Sequence, residues 1–323
     1  MSMTGSQDLS EMIMDMGRRA QAVALDLAVL PAEKKNAALE TLAKLLVERT
    51  NGILEENQKD LDRAEKNGIK GALYDRLRLS PDRIQEMAQG VRDVIALEDP
   101  VGELIEKMNP RNGMDIRKVR VPLGVVGIIY ESRPNVTIDC AILCLKSGNA
   151  TLLRGGSEAI DSNRILADIV REALEIQEIP ADAVQLVPTT DRGILNVFLR
   201  MDDCINCIIP RGGEALIRFV AENSTIPVIK HYAGVCNVYV DAEADLDLAT
   251  RIVVNAKTQR PGVCNAAENL FIHQSVAETY LPAMARALSD QGVALRVDDS
   301  GGAQDILKRE GIPFEPASED DFY

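Results

Sequence analysis

The residues best suited to covalent chemistry are six cysteines, Cys140, Cys144, Cys204, Cys207, Cys236 and Cys264, and their settings differ. Cys264 lies in Lys257-Thr258-Gln259-Arg260-Pro261-Gly262-Val263-Cys264-Asn265, between a predicted helix and a predicted strand, with Gly and Pro hinges and two cations close by. A free thiol of pKa near ~8.5 is only a few per cent thiolate at neutral pH, and a neighbouring cation or oriented amides raise its nucleophilicity. This loop either supplies both or carries an ordinary surface thiol. Cys204-Ile205-Asn206-Cys207 is a C-x-x-C pair set in a predicted strand, Cys204 to Ile209, where side chains three apart point to opposite faces. No second pair completes four ligands, and His231 and His273 are the only histidines, so no metal site is expected. Cys140 and Cys144 are one helical turn apart among Ile138, Ala141, Ile142 and Leu143 and read as small core residues.

Two glycine pairs form the next chemical candidates, Arg154-Gly155-Gly156-Ser157-Glu158 and Arg211-Gly212-Gly213-Glu214. Each follows an apolar run and opens a helix, where free N–H groups and the helix dipole favour a phosphate. Neither is the G-x-G-x-x-G fingerprint, and either could be a tight turn. Two of them at the carboxyl ends of strands in one parallel sheet favour a nucleotide crevice.

The elements that must position these residues alternate regularly. Val125 to Tyr130 is a continuous apolar run followed by a helical stretch from Pro134 to Lys146 that ends at Gly148. Ala150 to Leu153 precedes a helix over Ala159 to Ile176, Val184 to Val187 precedes Arg192 to Arg200, and Cys204 to Ile209 precedes Glu214 to Glu222. Four strand-then-helix units in succession predict a doubly wound parallel sheet covered on both faces. Upstream, Pro31 to Glu48 carries apolar residues at helical spacing, Ser80-Pro81 is an N-cap followed by Pro, and Asn112-Gly113 signals a hairpin. Downstream, Ile226 to Lys230, Asn237 to Asp241, Asn269 to His273 and Ala294 to Val297 read as strands, with helices over Leu246 to Lys257 and Ser275 to Leu288. A second α/β lobe is expected there.

Composition narrows the function classes. The chain has 323 residues, 36 Lys and Arg against 50 Asp and Glu, and a formal net charge of −14, so its surface repels nucleic acid and anionic lipid. Only 3% of residues are aromatic and Trp does not occur, so stacking platforms for bases are not expected. No window reaches the ~20 apolar residues of a membrane span. Asp8, Glu11 and Asp15 precede the first basic residue, the wrong order for a secretory signal, and the cysteines read as reduced thiols of a cytoplasmic protein.

Five segments, Val121 to Thr137 (VPLGVVGIIYESRPNVT), Ser147 to Ala159 (SGNATLLRGGSEA), Ile208 to Gly213 (IIPRGG), Lys230 to Asp241 (KHYAGVCNVYVD) and Thr258 to His273 (TQRPGVCNAAENLFIH), together resemble the gamma-glutamyl phosphate reductases of the aldehyde dehydrogenase superfamily. The resemblance runs over essentially the whole chain. It implies an α/β, aldehyde dehydrogenase-like fold: a Rossmann-type doubly wound NADP-binding domain with the N-terminal helical segment over residues 1–227, and an α/β catalytic domain over residues 228–323. Chains of the family continue beyond Tyr323, so the catalytic domain is expected to be incomplete and the 323-residue form to turn over poorly.

The implied reaction is reduction of L-glutamate 5-phosphate by NADPH to L-glutamate 5-semialdehyde with release of phosphate, the second step of proline biosynthesis from glutamate. Cys264 matches the superfamily nucleophile; it would expel phosphate and form a thioester that hydride then reduces. The Cys264 N–H and a side chain from the Glu131-Ser132-Arg133-Pro134-Asn135 turn, with Asn135 the candidate, would stabilise the oxyanion. Arg154, Gly155, Gly156, Ser157, Glu158, Arg211, Gly212 and Gly213 match cofactor positions; Arg154 suits the 2′-phosphate of NADP, whereas Glu158 would suit NAD. Arg133, Lys230 and Arg260 are candidates for the substrate carboxylate and phosphate. His231-Tyr232-Ala233-Gly234 stands where aldehyde-oxidising relatives carry a Glu general base, as a reductase guarding its thioester from water requires. The resemblance further implies a homo-oligomer for the complete protein and glutamate 5-kinase as the partner supplying substrate. The alternatives are another acyl-phosphate or acyl-thioester reductase of the superfamily, or a catalytically silent nucleotide-binding module.

Overall fold

The computed structural model describes residues 4–108, 110, 112–131, 133–191, 193–230, 234–261 and 263–322. The chain divides into two compact units, Met1–Tyr232 and Ala233–Tyr323.

The first unit opens with five helices, α1 (Thr4–Ala28), α2 (Ala32–Glu48), α3 (Thr50–Lys66), α4 (Ala72–Leu77) and α5 (Pro81–Ala96). Apolar residues at three-and-four spacing make α2 bury Ala38, Leu39, Leu42, Leu45 and Leu46, and the Ser80 hydroxyl caps α5 by accepting the Arg83 N–H. Two lysines bind this layer to the core. The Lys35 ammonium, fully buried, pairs with Asp99 and donates to the Lys146 carbonyl at 3.2 Å, while Lys146 Nζ donates to Asn36 and to the Ile95 carbonyl. The expected hairpin follows as β1 (Leu104–Met108) and β2 (Ile116–Val119), antiparallel.

Next comes the parallel sheet: β3 (Val125–Tyr130), α6 (Asn135–Lys146), β4 (Ala150–Arg154), α7 (Ile160–Ile176), β5 (Val184–Leu186), α8 (Ile194–Phe198), β6 (Cys207–Arg211) and α9 (Glu214–Asn223). Strand order is β5-β4-β3-β6, all pairs parallel, so the winding reverses between β3 and β6. Helix α6 ends in a left-handed turn at Gly148, φ 73°, a conformation that favours glycine. Gly127 and Leu152 face α8 and α1, and a Cβ on Gly127 would lie 2.8 Å from the Phe198 ring. Thr151 points the other way, toward Cys144 of α6. The doubly wound α/β architecture is therefore present.

Three local expectations are corrected. Cys204 lies in a turn and not in the fourth strand, because the Cys204 and Ile205 N–H groups donate to the Met201 carbonyl; β6 starts at Cys207. Ile226 to Lys230 forms one bridge, Ile208 to Val228, and no strand: Pro227 has no N–H to extend the ladder. Helix α8 is shorter than Arg192 to Arg200, because an Asp191 turn, Gly193 N–H to Oδ1 at 2.7 Å, precedes its first residue, Ile194; Arg192 lies outside the described residues. Residues 227–230 stay with the first unit through hydrogen bonds from Ile208 to Pro227 and from Ile229 to Ile208.

The second unit pairs β7 (Asn237–Val240) in parallel with β8 (Asn269–Ile272), joined through α10 (Leu246–Thr258). Then come α11 (Gln274–Ser289), β9 (Arg296–Val297), α12 (Ala303–Arg309) and β10 (Glu315–Pro316), β9 and β10 pairing in parallel. The predicted strand from Ala294 is thus only two residues long. Val240, Val253, Tyr280, Met284 and Leu288 form its core. Among the described residues, no helix is long and apolar enough to cross a membrane.

Candidate active site

In the first unit the sequence candidates gather at the carboxyl ends of β4, β3 and β6. Parallel register sets Ile129 beside Arg154 and Tyr130 beside Arg211, so the two glycine pairs flank the end of β3. The Glu131 N–H donates to the Arg211 carbonyl, and Glu131 Oε2 accepts the N–H of Gly213, the residue before α9, at 2.9 Å. A carboxylate therefore sits at the N-terminus of α9, at the reversal point of the sheet. A Cβ on Gly212 would lie 2.6 Å from that carboxylate oxygen. Backbone open to close approach and an amide already receiving an anion fit the pyrophosphate of a dinucleotide.

Around the same point, Asn135 begins α6 and donates Nδ2 to Asp139 Oδ2 at 3.0 Å. Removal of water by neighbouring groups raises the Asp139 carboxyl above the ordinary range, against the Asn135 hydrogen bond and the Arg211 charge. Glu131 and Asp139 were not singled out by sequence. Each supplies a carboxylate to the reversal point, and Glu131 within the turn motif was the available signal.

The β4 end differs. Arg154 is only 8% exposed, and its guanidinium donates to the Thr190 carbonyl at 3.5 Å. Gly155 and Gly156 are buried, Ser157 is exposed, and Glu158 is half-buried beside the Ser157 hydroxyl. A Cβ on Gly155 would lie 2.2 Å from Asn163 Nδ2, so core packing alone requires this glycine. The N-terminus of α7 is already closed: Asp60, fully buried, accepts the Asp161 and Ser162 N–H groups and the Ser162 hydroxyl.

Arg133 and Lys230 are exposed on the first unit, and Arg260 and Cys264 are exposed on the second. Cys264 lies between α10 and β8 in a run of turns, with Val263 N–H donating to Arg260 and Ala266 N–H to Val263. The Lys257 ammonium donates to the Ala267 carbonyl at 3.0 Å. Burial pushes the Cys140 and Cys144 thiols up to about 12 and raises those of Cys204 and Cys207, which makes all four poor nucleophiles at neutral pH. Among the described residues, no group of three His, Cys, Asp or Glu could hold a metal ion. Ser132, His231, Tyr232 and Ala233 lie outside the described residues.

Glycine pairs at the reversal point of a parallel sheet and an exposed loop cysteine on a second α/β unit agree with an aldehyde dehydrogenase. A model of the aldehyde dehydrogenase family matches residues 3–301, and the chain belongs to that family. Within it, the gamma-glutamyl phosphate reductase of Opitutus terrae is 54% identical over 318 residues, 98% of this chain and 74% of the relative. The solved gamma-glutamyl phosphate reductase of Thermotoga maritima superposes with a TM-score of 0.86 at 42% identity, over 95% of this chain and 73% of that one. The enzyme of that name from Saccharomyces cerevisiae gives a TM-score of 0.63 at 30% identity, over 92% and 74%.

Proposed function

We propose that this chain is the reductase its relatives' name describes: it reduces L-glutamate 5-phosphate to L-glutamate 5-semialdehyde, releasing phosphate, in proline biosynthesis. The observation that carries the reading is Cys264, an exposed thiol on a turn of the second unit, within a family named for this chemistry. Its thiolate attacks the acyl carbon, the phosphate leaves with the electrons of the broken C–O bond, and a thioester remains on Cys264. A nicotinamide cofactor, when bound, supplies the hydride. The Cys264 N–H and the second amide hydrogen of Asn135, beyond the one given to Asp139, stabilise the oxyanion. Arg133, Lys230 and Arg260, all exposed cations, hold the carboxylate and phosphate of the substrate.

Gly212 and Gly213 at α9 would hold the cofactor's pyrophosphate, and Arg154, Gly155, Gly156, Ser157 and Glu158 would receive its adenosine side. NADPH is favoured over NADH because Arg154 brings a cation to that side, although it must leave the Thr190 carbonyl to meet a 2′-phosphate. Glutamate 5-kinase supplies the substrate, and the protein works as a homo-oligomer in the cytoplasm.

The test is Cys264→Ser in phosphate-dependent oxidation of the semialdehyde with NADP. Activity should fall by about a thousandfold or more, while Cys204→Ser stays active. Activity close to wild type in Cys264→Ser would refute the assignment.

A further inference from the structure

Cys236 is, with Cys140 and Cys264, one of three cysteines that are not buried, and the function described above makes no use of it. It is half-buried immediately before β7, and its backbone is fixed by three contacts: its N–H donates to Glu268 Oε2 at 3.2 Å, and its carbonyl accepts from the N–H groups of Glu268 at 2.8 Å and Asn269 at 3.2 Å. Its thiol donates to the carbonyl oxygen of Cys264 at 3.3 Å. The parallel pairing of β7 with β8 causes this, because it brings the residue before β7 alongside the turns that lead into β8.

We propose that Cys236 is a resolving thiol for Cys264. A disulfide closes when the two Cα atoms are about 4.4–6.8 Å apart. A thiol hydrogen-bonded to its partner's own backbone is near that range, and the turns over residues 263–266 can take up the remainder without breaking a helix or strand. The co-reactant is a hydroperoxide. The Cys264 thiolate attacks the peroxide oxygen, an S–O bond forms and the O–O bond breaks; sulfur is oxidised to the sulfenic acid, and the peroxide is reduced to hydroxide or an alcohol. The Cys236 thiolate then attacks that sulfur, an S–S bond forms, the S–O bond breaks, and the oxygen leaves as water after taking up a proton. The result is a reversible disulfide in place of irreversible sulfinic acid. Cys144, Cys204 and Cys207 are buried, and the half-buried Cys140 has its thiol pushed up to about 12, so none of them competes for the peroxide.

The proposal rests on Cys264 being the reactive thiol, and the test reads sulfur mass separately from activity. The reduced full-length protein is treated with hydrogen peroxide, blocked with iodoacetamide and mapped by mass spectrometry. Wild type should lose two hydrogens, yield a single linked peptide joining Cys236 to Cys264, and recover both thiols and activity in dithiothreitol. Cys236→Ser and Cys236→Ala, active before treatment, should instead gain two oxygens on Cys264, with recovery falling to near zero. A link to any other cysteine, or wild-type Cys264 reaching sulfinic acid as fast as in the two variants, overturns the pair. A disulfide that forms while activity persists upholds the pair and overturns Cys264 as the nucleophile.

Discussion

Helices α7 and α9 both start at the carboxyl end of the sheet, and both N-termini are met by a carboxylate from another element. At α7 the carboxylate is Asp60, reaching from α3, fully buried, with three donors around it and Arg63 bridging it to Asp161. At α9 it is Glu131, exposed, holding one N–H. A charge at a surface helix N-terminus contributes about 0.3–1 kcal/mol, whereas removing one partner of a buried pair costs about 3–5 kcal/mol. A ligand phosphate can therefore displace Glu131 and cannot displace Asp60. Two similar glycine pairs thus end in different states: α7 is sealed and structural, and α9 is open to exchange.

The largest expected effect tests the sealed end. Asp60→Ala strips the acceptor from the Asp161 and Ser162 N–H groups and should cost about 3–5 kcal/mol in urea unfolding. A loss below ~1 kcal/mol would make α7 no more closed than α9. Burial is the leading influence on the Asp60 carboxyl and raises it above the ordinary range, against its hydrogen bonds from Ser162 and Asp161 and the Arg63 contact. Because the folded value is the higher one, the corresponding stability is fully present below the ordinary Asp value near ~3.9 and is lost as pH rises through the raised value. The stability of wild type relative to Asp60→Asn should therefore shrink with rising pH. A gap that widens would reverse the sign.

The order of strands and helices was legible in the residues, because apolar runs of four to six and periodic helical stretches report burial directly. Ser80 as cap and Gly148 as stop were legible for the same local reason. Both glycine pairs could be placed at strand ends, but which one stays open could not, since it depends on Asp60, about a hundred residues from Ser162, and on Glu131, 82 residues from Gly213. Arg154 gives no sequence sign that its guanidinium turns inward to Thr190. Ile226 to Lys230 has the β-branched content of a strand, and Pro227 decides otherwise. The thiol of Cys236 meets Cys264 only through the β7–β8 register, which no local pattern encodes.

An intermediate effect separates the two glycine pairs themselves. In Gly155→Ala the new methyl would lie 2.2 Å from Asn163 Nδ2 and 3.2 Å from the Tyr130 ring, and Asn163 is fully buried. Such overpacking should cost about 1–3 kcal/mol. Gly213, with φ −66°, has only the Glu131 carboxylate 3.8 Å away, so Gly213→Ala should leave the unfolding midpoint within error. Equal losses at the two positions would contradict the assignment of Gly155 to packing and Gly213 to an open surface.

The smallest effect probes the exchangeable end. Glu131→Gln keeps the length of the side chain and one acceptor oxygen but removes the charge that interacts with the α9 dipole. Apo stability should fall by no more than ~1 kcal/mol. If the carboxylate holds a place that a pyrophosphate takes, binding must first break that contact and then tolerate a displaced anion nearby; both costs drop in the amide. NADPH affinity, measured by quenching of cofactor fluorescence, should therefore tighten about two- to fivefold, the equivalent of the same 0.3–1 kcal/mol. Part of the cost is Coulombic, so the advantage should shrink as salt screens the exposed charges. Weaker binding by Glu131→Gln would instead identify Glu131 as a group that holds the cofactor. In that case the exposed carboxylate at α9, like the buried one at α7, would be a permanent part of its helix terminus.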